Sequence, residues 1–125
     1  MNVVDSSGWL EYFADGPNAA QFAKPIRDTE TLLVPTISIY EVFKRVATQR
    51  DEDLALQAAA QMEQGRVVDL DRATALAAAQ LSIELKLPLA DSVMLATTKR
   101  FGATFWTQDS DFAAIEGVKY FQHRA

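Results

Sequence analysis

Four short apolar runs set the framework: NVVD (2–5), TLLVP (31–35), RVVDL (66–70) and ATFWT (103–107). Each is too short for a helix and is bounded by polar, Gly or Pro residues, as strands are. Between them lie stretches whose apolar residues recur every three or four positions. Strands that alternate with helices imply βαβ units, a parallel sheet and helices on both faces. The expected fold is therefore α/β, a three-layer α/β/α sandwich around a mainly parallel sheet of four to five strands. With 125 residues and no linker, repeat or low-complexity stretch, a single domain over 1–125 is expected.

The connecting segments read in order. Ser6 and Ser7 are capping types at the start of SSGWLEYF, where Trp9, Leu10 and Phe13 face a core, and Gly16-Pro17 breaks that helix. A second helix fits 18–28. Ser38 and Glu41 have the spacing of a capping box at the head of IYEVFKRVATQR, with Ile39, Val42, Phe43 and Val46 as the apolar stripe. The spacing predicts a helix over 52–64 with Leu54, Ala58 and Met62 inward, then an alanine-rich helix from Asp71 or Arg72 to Leu85. Its stripe is Leu76, Ala79, Gln80 and Ile83, and its alanines imply close helix packing. A helix over 90–101 ends at Gly102. SDFAAI is a single helical turn, and VKYF (118–121) fits a fifth, edge strand.

The stretch from Leu87 to Phe112 carries three carboxylates, Asp91 at a helix start and Asp109 and Asp111 just past a strand. Asp5 ends the first strand, and Glu41 lies in the first turn of the helix after the second. In a parallel sheet all carboxyl ends lie on one side, where ligand sites form. Asp5, Glu41 and Asp109 fall on that side. Spacing alone leaves open whether Asp91 joins them.

Each acid also has a structural explanation. Glu41 serves a capping box, Asp91 a helix dipole, and Asp109 a cap for the turn that follows. Asp5 is hardest to explain so, because strands disfavour Asp. Converged carboxylates raise one another's pKa values unless a cation joins them. All-oxygen donors suit hard ions, Mg²⁺ with Mn²⁺ as a substitute. The chain has no cysteine, and its single histidine, His123, stands next to the C-terminus, which argues against zinc and excludes disulfides. Such an ion held by carboxylates activates water for attack on a phosphodiester. Ser6, Ser7, Ser38 and Thr107 are candidate hydrogen-bond partners for the acids.

The net charge is −5, unlike a general nucleic-acid binder. Setting the five acids aside leaves as many carboxylates as Lys plus Arg, so the acidity belongs to the site. Lys44, Arg45, Lys99 and Arg100, on the helices that carry Glu41 and Asp91, are either solvated or phosphate contacts. No run is long enough to span a membrane, and no signal segment is visible at the N-terminus, which fits a cytoplasmic protein.

Four segments, VVDSSGWLEYF (3–13), TISIYEVFKR (36–45), LPLADSVMLATTKRFGA (87–103) and TFWTQDSDF (104–112), together resemble the PIN-domain family and, within it, the VapC-type toxins. The resemblance implies a divalent-metal ribonuclease whose site acids are Asp5, Glu41, Asp91 and Asp109. Asp111, Ser6 and Thr107 are accessory. It also brings Asp91 to the other acids. It further implies an RNA substrate, a homodimer, an inhibitory antitoxin, and DNA only indirectly through that antitoxin. Two alternatives remain: a receiver-like phosphoryl-accepting domain and a non-catalytic metal-binding interaction module. The first lacks an acidic pair after strand one and a Lys after the last strand. A dehalogenase-like phosphatase wants a second Asp where Ser7 stands.

Overall fold

The computed structural model describes residues 1–124. All four apolar runs are strands and the edge strand exists: β1 (Asn2–Val4), β2 (Leu32–Pro35), β3 (Arg66–Val68), β4 (Thr104–Thr107) and β5 (Val118–Tyr120). The helices are α1 (Ser6–Phe13), α2 (Ala19–Arg27), α3 (Thr36–Gln49), α4 (Glu52–Met62), α5 (Arg72–Leu85) and α6 (Leu89–Arg100). A 3₁₀ turn, Ser110–Phe112, follows β4. The sheet order is β3-β2-β1-β4-β5, and every pairing is parallel.

Side chains alternate across this sheet with a period of two. Val3 lies opposite Leu33 and Phe105, and these three pack with Met94, Leu95 and Phe112. Val4, Leu32, Val34 and Trp106 face the other way, onto Trp9, Phe22, Ile26, Val42 and Met62. Two cores on two faces make the three layers. Each fully buried Leu, Phe or Met in them favours the fold by roughly 1.5–3 kcal/mol relative to exposure. Gly8 permits α1 to lie this close, since a Cβ there would sit 2.6 Å from the Phe22 ring.

The chain moves outward from β1 to β3 and then crosses to β4. The reversal opens a crevice between the carboxyl ends of β1 and β4. α6 supplies its third side. Residues Ser92–Thr98 are buried on every face of that helix, so it has no polar stripe. Thr97 and Thr98 hydroxyls donate back to the Val93 and Met94 carbonyls, which makes their burial tolerable. Gly102 (φ 60°) turns α6 directly into the start of β4, so the other end of α6, carrying Asp91, lies at the carboxyl edge. α5 lies against α6, and Arg100 pairs with Asp71 across them at 2.7 Å.

Three expectations need correction. Ser38 is not a cap: α3 begins at Thr36, and Ser38 is fully buried without a hydrogen-bond partner. Within the 52–64 segment Leu54 is only half-buried, and Ala55 takes the inward place beside Ala58 and Met62. The stripe expected on α5 points outward: Leu76 is 53% and Ile83 79% exposed. Thr74 and Ala78 are the buried positions instead, and Ala78 packs against Val93 and Ala96 with Leu81 alongside. A helix rich in alanine is apolar on most faces, so periodicity cannot pick the inner one. Small residues do, because they let α6 approach.

Candidate metal centre

α1 follows β1 without a loop, so Asp5 is both strand end and N-cap. Its side chain caps nothing. Instead Oδ2 accepts hydrogen bonds from the Ser7 hydroxyl at 2.7 Å and the Thr107 hydroxyl at 2.8 Å. Ser6 and Ser7 therefore stand in the first turn of α1 as partners of acids and not as caps. The Ser6 hydroxyl donates to Glu41 Oε1 at 2.8 Å, which gives Glu41 a partner across the groove in place of the expected capping box. Thr107 also accepts the Asp109 N–H at 2.9 Å, and Asp109 Oδ1 accepts the Asp111 N–H at 2.9 Å. One hydroxyl thus ties the ends of β1 and β4 together.

Asp5, Ser6, Ser7, Glu41, Asp91 and Asp109 line a groove of about 440 Å³. Asp91, Asp109 and Asp111 each bring a carboxylate oxygen to within 4.8 Å of the others. The structure thus draws Asp111 into the cluster more closely than its accessory place in the sequence reading implied.

Electrostatics mark the same place. Asp5 is 3% exposed, and burial pushes its carboxyl up to about 6; hydrogen bonds from Ser7 and Thr107 pull the other way, while Asp109 and Glu41 push further up. Asp91 goes to about 7, first through desolvation and then through Asp5, Asp109, Glu41 and Asp111. A first-turn acid is normally favoured by the helix dipole. Here burial, with four neighbouring carboxylates added, outweighs it. The acids of this site form a cluster of like charges with oxygen donors only, the donor set of a hard divalent cation. His123, exposed, lines an adjoining groove and not the acidic one.

The basic residues divide. Lys44 and Arg45 line the acidic groove, on the same stretch of α3 as Glu41. Arg100 is at the far end of α6, engaged with Asp71, with exposed Lys99 beside it. The phosphate-contact reading therefore fails for Lys99 and Arg100 near these acids.

A PIN domain model matches residues 3–118, nearly the whole chain. The chain belongs to the PIN-domain family. PIN-domain proteins are nucleases in general and commonly use divalent metals. By sequence, no curated protein matches the chain. Among solved structures it is similar to a toxin–antitoxin complex from Klebsiella pneumoniae, with 22% identity over 95% of this chain and 96% of that one, and a TM-score of 0.78. It is also similar to Mycobacterium tuberculosis VapC20, described as a sarcin–ricin loop cleaving toxin, with 17% identity, 94% and 97% coverage and a TM-score of 0.78. A DNA-bound VapBC from Salmonella typhimurium shares 14% identity over 97% and 96% of the two chains, with a TM-score of 0.75. These PIN-domain likenesses establish the α/β fold: five parallel strands, with helices on both faces.

The sequence reading missed Glu11, Asn18 and Gln108, which sit directly behind this centre. Only one signal pointed at them. Gln108 is a polar residue caught between Thr107 at the strand end and the acid Asp109.

Proposed function

We propose that this protein is a divalent-metal-dependent endoribonuclease, the toxin of a toxin–antitoxin pair. One observation carries the reading: four carboxylates from four separate segments line one groove, a fifth adjoins them, and two of them are pushed up to about 6 and 7. Carboxylates that converge in this way and repel one another are a donor set suited to a hard divalent cation. Asp91, Asp109 and Asp111 would hold the ion, with Asp5 and Glu41 completing the wall. Mg²⁺ or Mn²⁺ bound there supplies activation of water and stabilisation of the leaving oxygen in phosphodiester hydrolysis.

The chain's own groups prepare the site. Ser7 and Thr107 occupy one oxygen of Asp5 and leave the other for the groove. Ser6 does the same for Glu41. Lys44 and Arg45 stand where the phosphates flanking the cleaved bond pass. The net acidity favours an RNA recognised by shape over a diffuse electrostatic grip.

The antitoxin is the second part of the proposal. A further groove of about 610 Å³ joins the acidic one through shared Ser7, Leu10 and Arg45. Phe13, Val46, Leu54 and Ala58 give it an apolar lining suited to a peptide segment. A partner seated there reaches the acids, and DNA is met only through that partner. The exposed Leu76 and Ile83 on α5 favour a homodimer. Among the described residues no helix is long and apolar enough to cross a membrane, and a cytoplasmic location belongs to the same proposal.

The test is cleavage of total RNA by the purified protein with Mg²⁺ and with EDTA, beside Asp5→Asn. Cleavage only with Mg²⁺, lost in the variant, is expected. Cleavage that persists in Asp5→Asn, or in EDTA, removes this mechanism.

A further inference from the structure

Behind the acids lies a polar network that the cleavage chemistry does not use. Glu11, in α1, is buried, yet it has no cationic partner among the described residues. Its Oε2 accepts the Asn18 backbone N–H at 2.7 Å, and its Oε1 lies 3.5 Å from Gln108 Nε2. Gly16 presses against the same carboxylate, and any side chain there would displace it. Asn18 is also buried. Its amide donates to Gln108 Oε1 at 3.0 Å and to the Gln122 carbonyl at 2.9 Å.

Gln108 is the meeting point. Both ends of its amide are engaged, and Nε2 also lies 3.5 Å from the Ser7 carbonyl. Its backbone N–H points at the Ser7 hydroxyl, 3.4 Å away, which itself donates to Asp5. A buried carboxylate is costly unless its hydrogen bonds are made; here one comes from the Asn18 backbone and one from Gln108, the residue preceding Asp109, which the Asn18 side chain also holds.

We propose that Glu11, Asn18 and Gln108 form a clamp that fixes Asp109 relative to Asp5, with Gln108 as a positioning residue of the acidic centre. The geometry supplies two routes between those acids. One runs through Thr107, hydrogen-bonded to both. The other runs from Asp5 through Ser7 to Gln108, which the Glu11–Asn18 pair holds from behind. With the second route cut, the Thr107 hydroxyl is the remaining hydrogen-bonded tie between Asp5 and Asp109. The effect on metal affinity rests on the function proposed above, whereas the restraint itself does not.

The test uses the full chain with Gln108→Ala and with Asn18→Asp, which removes both amide donors without changing shape. Thr31→Ala is the control, because its hydroxyl donates to Asp28 and accepts from Asn2 at the amino end of the sheet, away from the acids. Amide exchange of the metal-free protein is followed by NMR. The Asp109 and Asp111 amides are expected to exchange about tenfold faster in both clamp variants and at the wild-type rate in the control, while Phe105 and Trp106 stay unchanged. Mn²⁺ titration by calorimetry should show binding weakened about tenfold, as for lost partners of metal ligands. Wild-type exchange at Asp109 and Asp111 in both clamp variants overturns the clamp, and so does equal acceleration in Thr31→Ala. A wild-type protein that binds no Mn²⁺ overturns the metal reading instead, and the exchange rates still decide the clamp.

Discussion

Asp5 and Asp91 face one groove but are held in opposite ways. Asp5 is embedded at the end of β1, and its Oδ2 is gripped by two hydroxyls. Asp91 stands half-buried at the head of α6, and no hydrogen bond reaches its carboxylate among the described residues. Both carboxyls are pushed up, Asp5 chiefly by burial against the pull of its hydrogen bonds, Asp91 by burial with four like charges added. One wall is thus organised by the protein in advance. The other has no such tie and rests on four like charges around it. The two walls thus differ in what the protein itself supplies to hold them.

The strongest way to break this comparison is Asp5→Asn. The neutral amide keeps an oxygen for Ser7 and Thr107 but removes the charge. RNA cleavage should fall by more than the ~10–100-fold typical of losing an outer partner of a metal ligand. The metal-free variant should at the same time be more stable at pH 8, by about 2–3 kcal/mol if the whole pKa difference is recovered. Denaturant melts of both proteins measure this, and a less stable variant would contradict an Asp5 held at a cost.

Next is the pH dependence of Mn²⁺ binding. At pH 5 the ion must displace protons from Asp91 and Asp5, which titrate near 7 and 6. Affinity should therefore fall about tenfold or more between pH 7.5 and pH 5.5, with proton release visible as buffer-dependent heat. Asp91→Asn should flatten the upper part of that profile. A profile without slope above pH 6 would show that Asp91 is already ionised without the cation.

Thr107→Val sharpens the contrast from the organised side. It removes the hydroxyl shared by Asp5 and the Asp109 amide. A weakening of Mn²⁺ binding of about tenfold is expected, with a loss of about 1–3 kcal/mol for the unpaired groups. Equal Mn²⁺ affinity in variant and wild type would mean that the embedded wall needs no such tie.

A smaller effect is the stability of the metal-free protein against pH. Asp5 and Asp91 have folded pKa values above the unfolded 3.8. Ionising them opposes folding, so their penalty is absent below pH 4 and grows as pH rises through about 6 and 7. The melting temperature should rise as pH falls from 8 to 5, and saturating Mn²⁺ should reverse the trend. Asp71 works the other way: its hydrogen bonds to Thr74 and its pair with Arg100 lower it, so its contribution is lost only under stronger acid. The smallest effect on stability is expected for Ile83→Glu on α5, within about 0.5 kcal/mol for an exposed site. Sedimentation should nevertheless show loss of self-association.

Much of this was legible because it depends on local pattern. Short apolar runs bounded by polar, Gly or Pro residues placed the strands, and Gly102 placed the end of α6. The acids at strand ends and helix starts could be named individually. Other features were not legible. Ser38 and Glu41 have capping-box spacing, yet Pro35 precedes a helix that starts at Thr36, and Glu41 finds Ser6 from another segment. Leu76 and Ile83 repeat like a core stripe, but the alanines beside them are what α6 can approach. Glu11 looks like any surface glutamate of a helix, because its partners lie at positions 18 and 108.

By itself the sequence determined the alternation of strands and helices, the all-oxygen donor set and the identity of the acids. Those follow from composition and short-range spacing. Only the tertiary structure decided that Asp91 meets Asp5, since that depends on which way α6 runs before it turns into β4. It also decided that Asp111 joins the cluster, which face of α5 is inside, and that Gln108 is clamped from behind. Each of these is a contact between segments far apart in the chain, and the direction of a packed helix is fixed by what it packs against, not by its own residues.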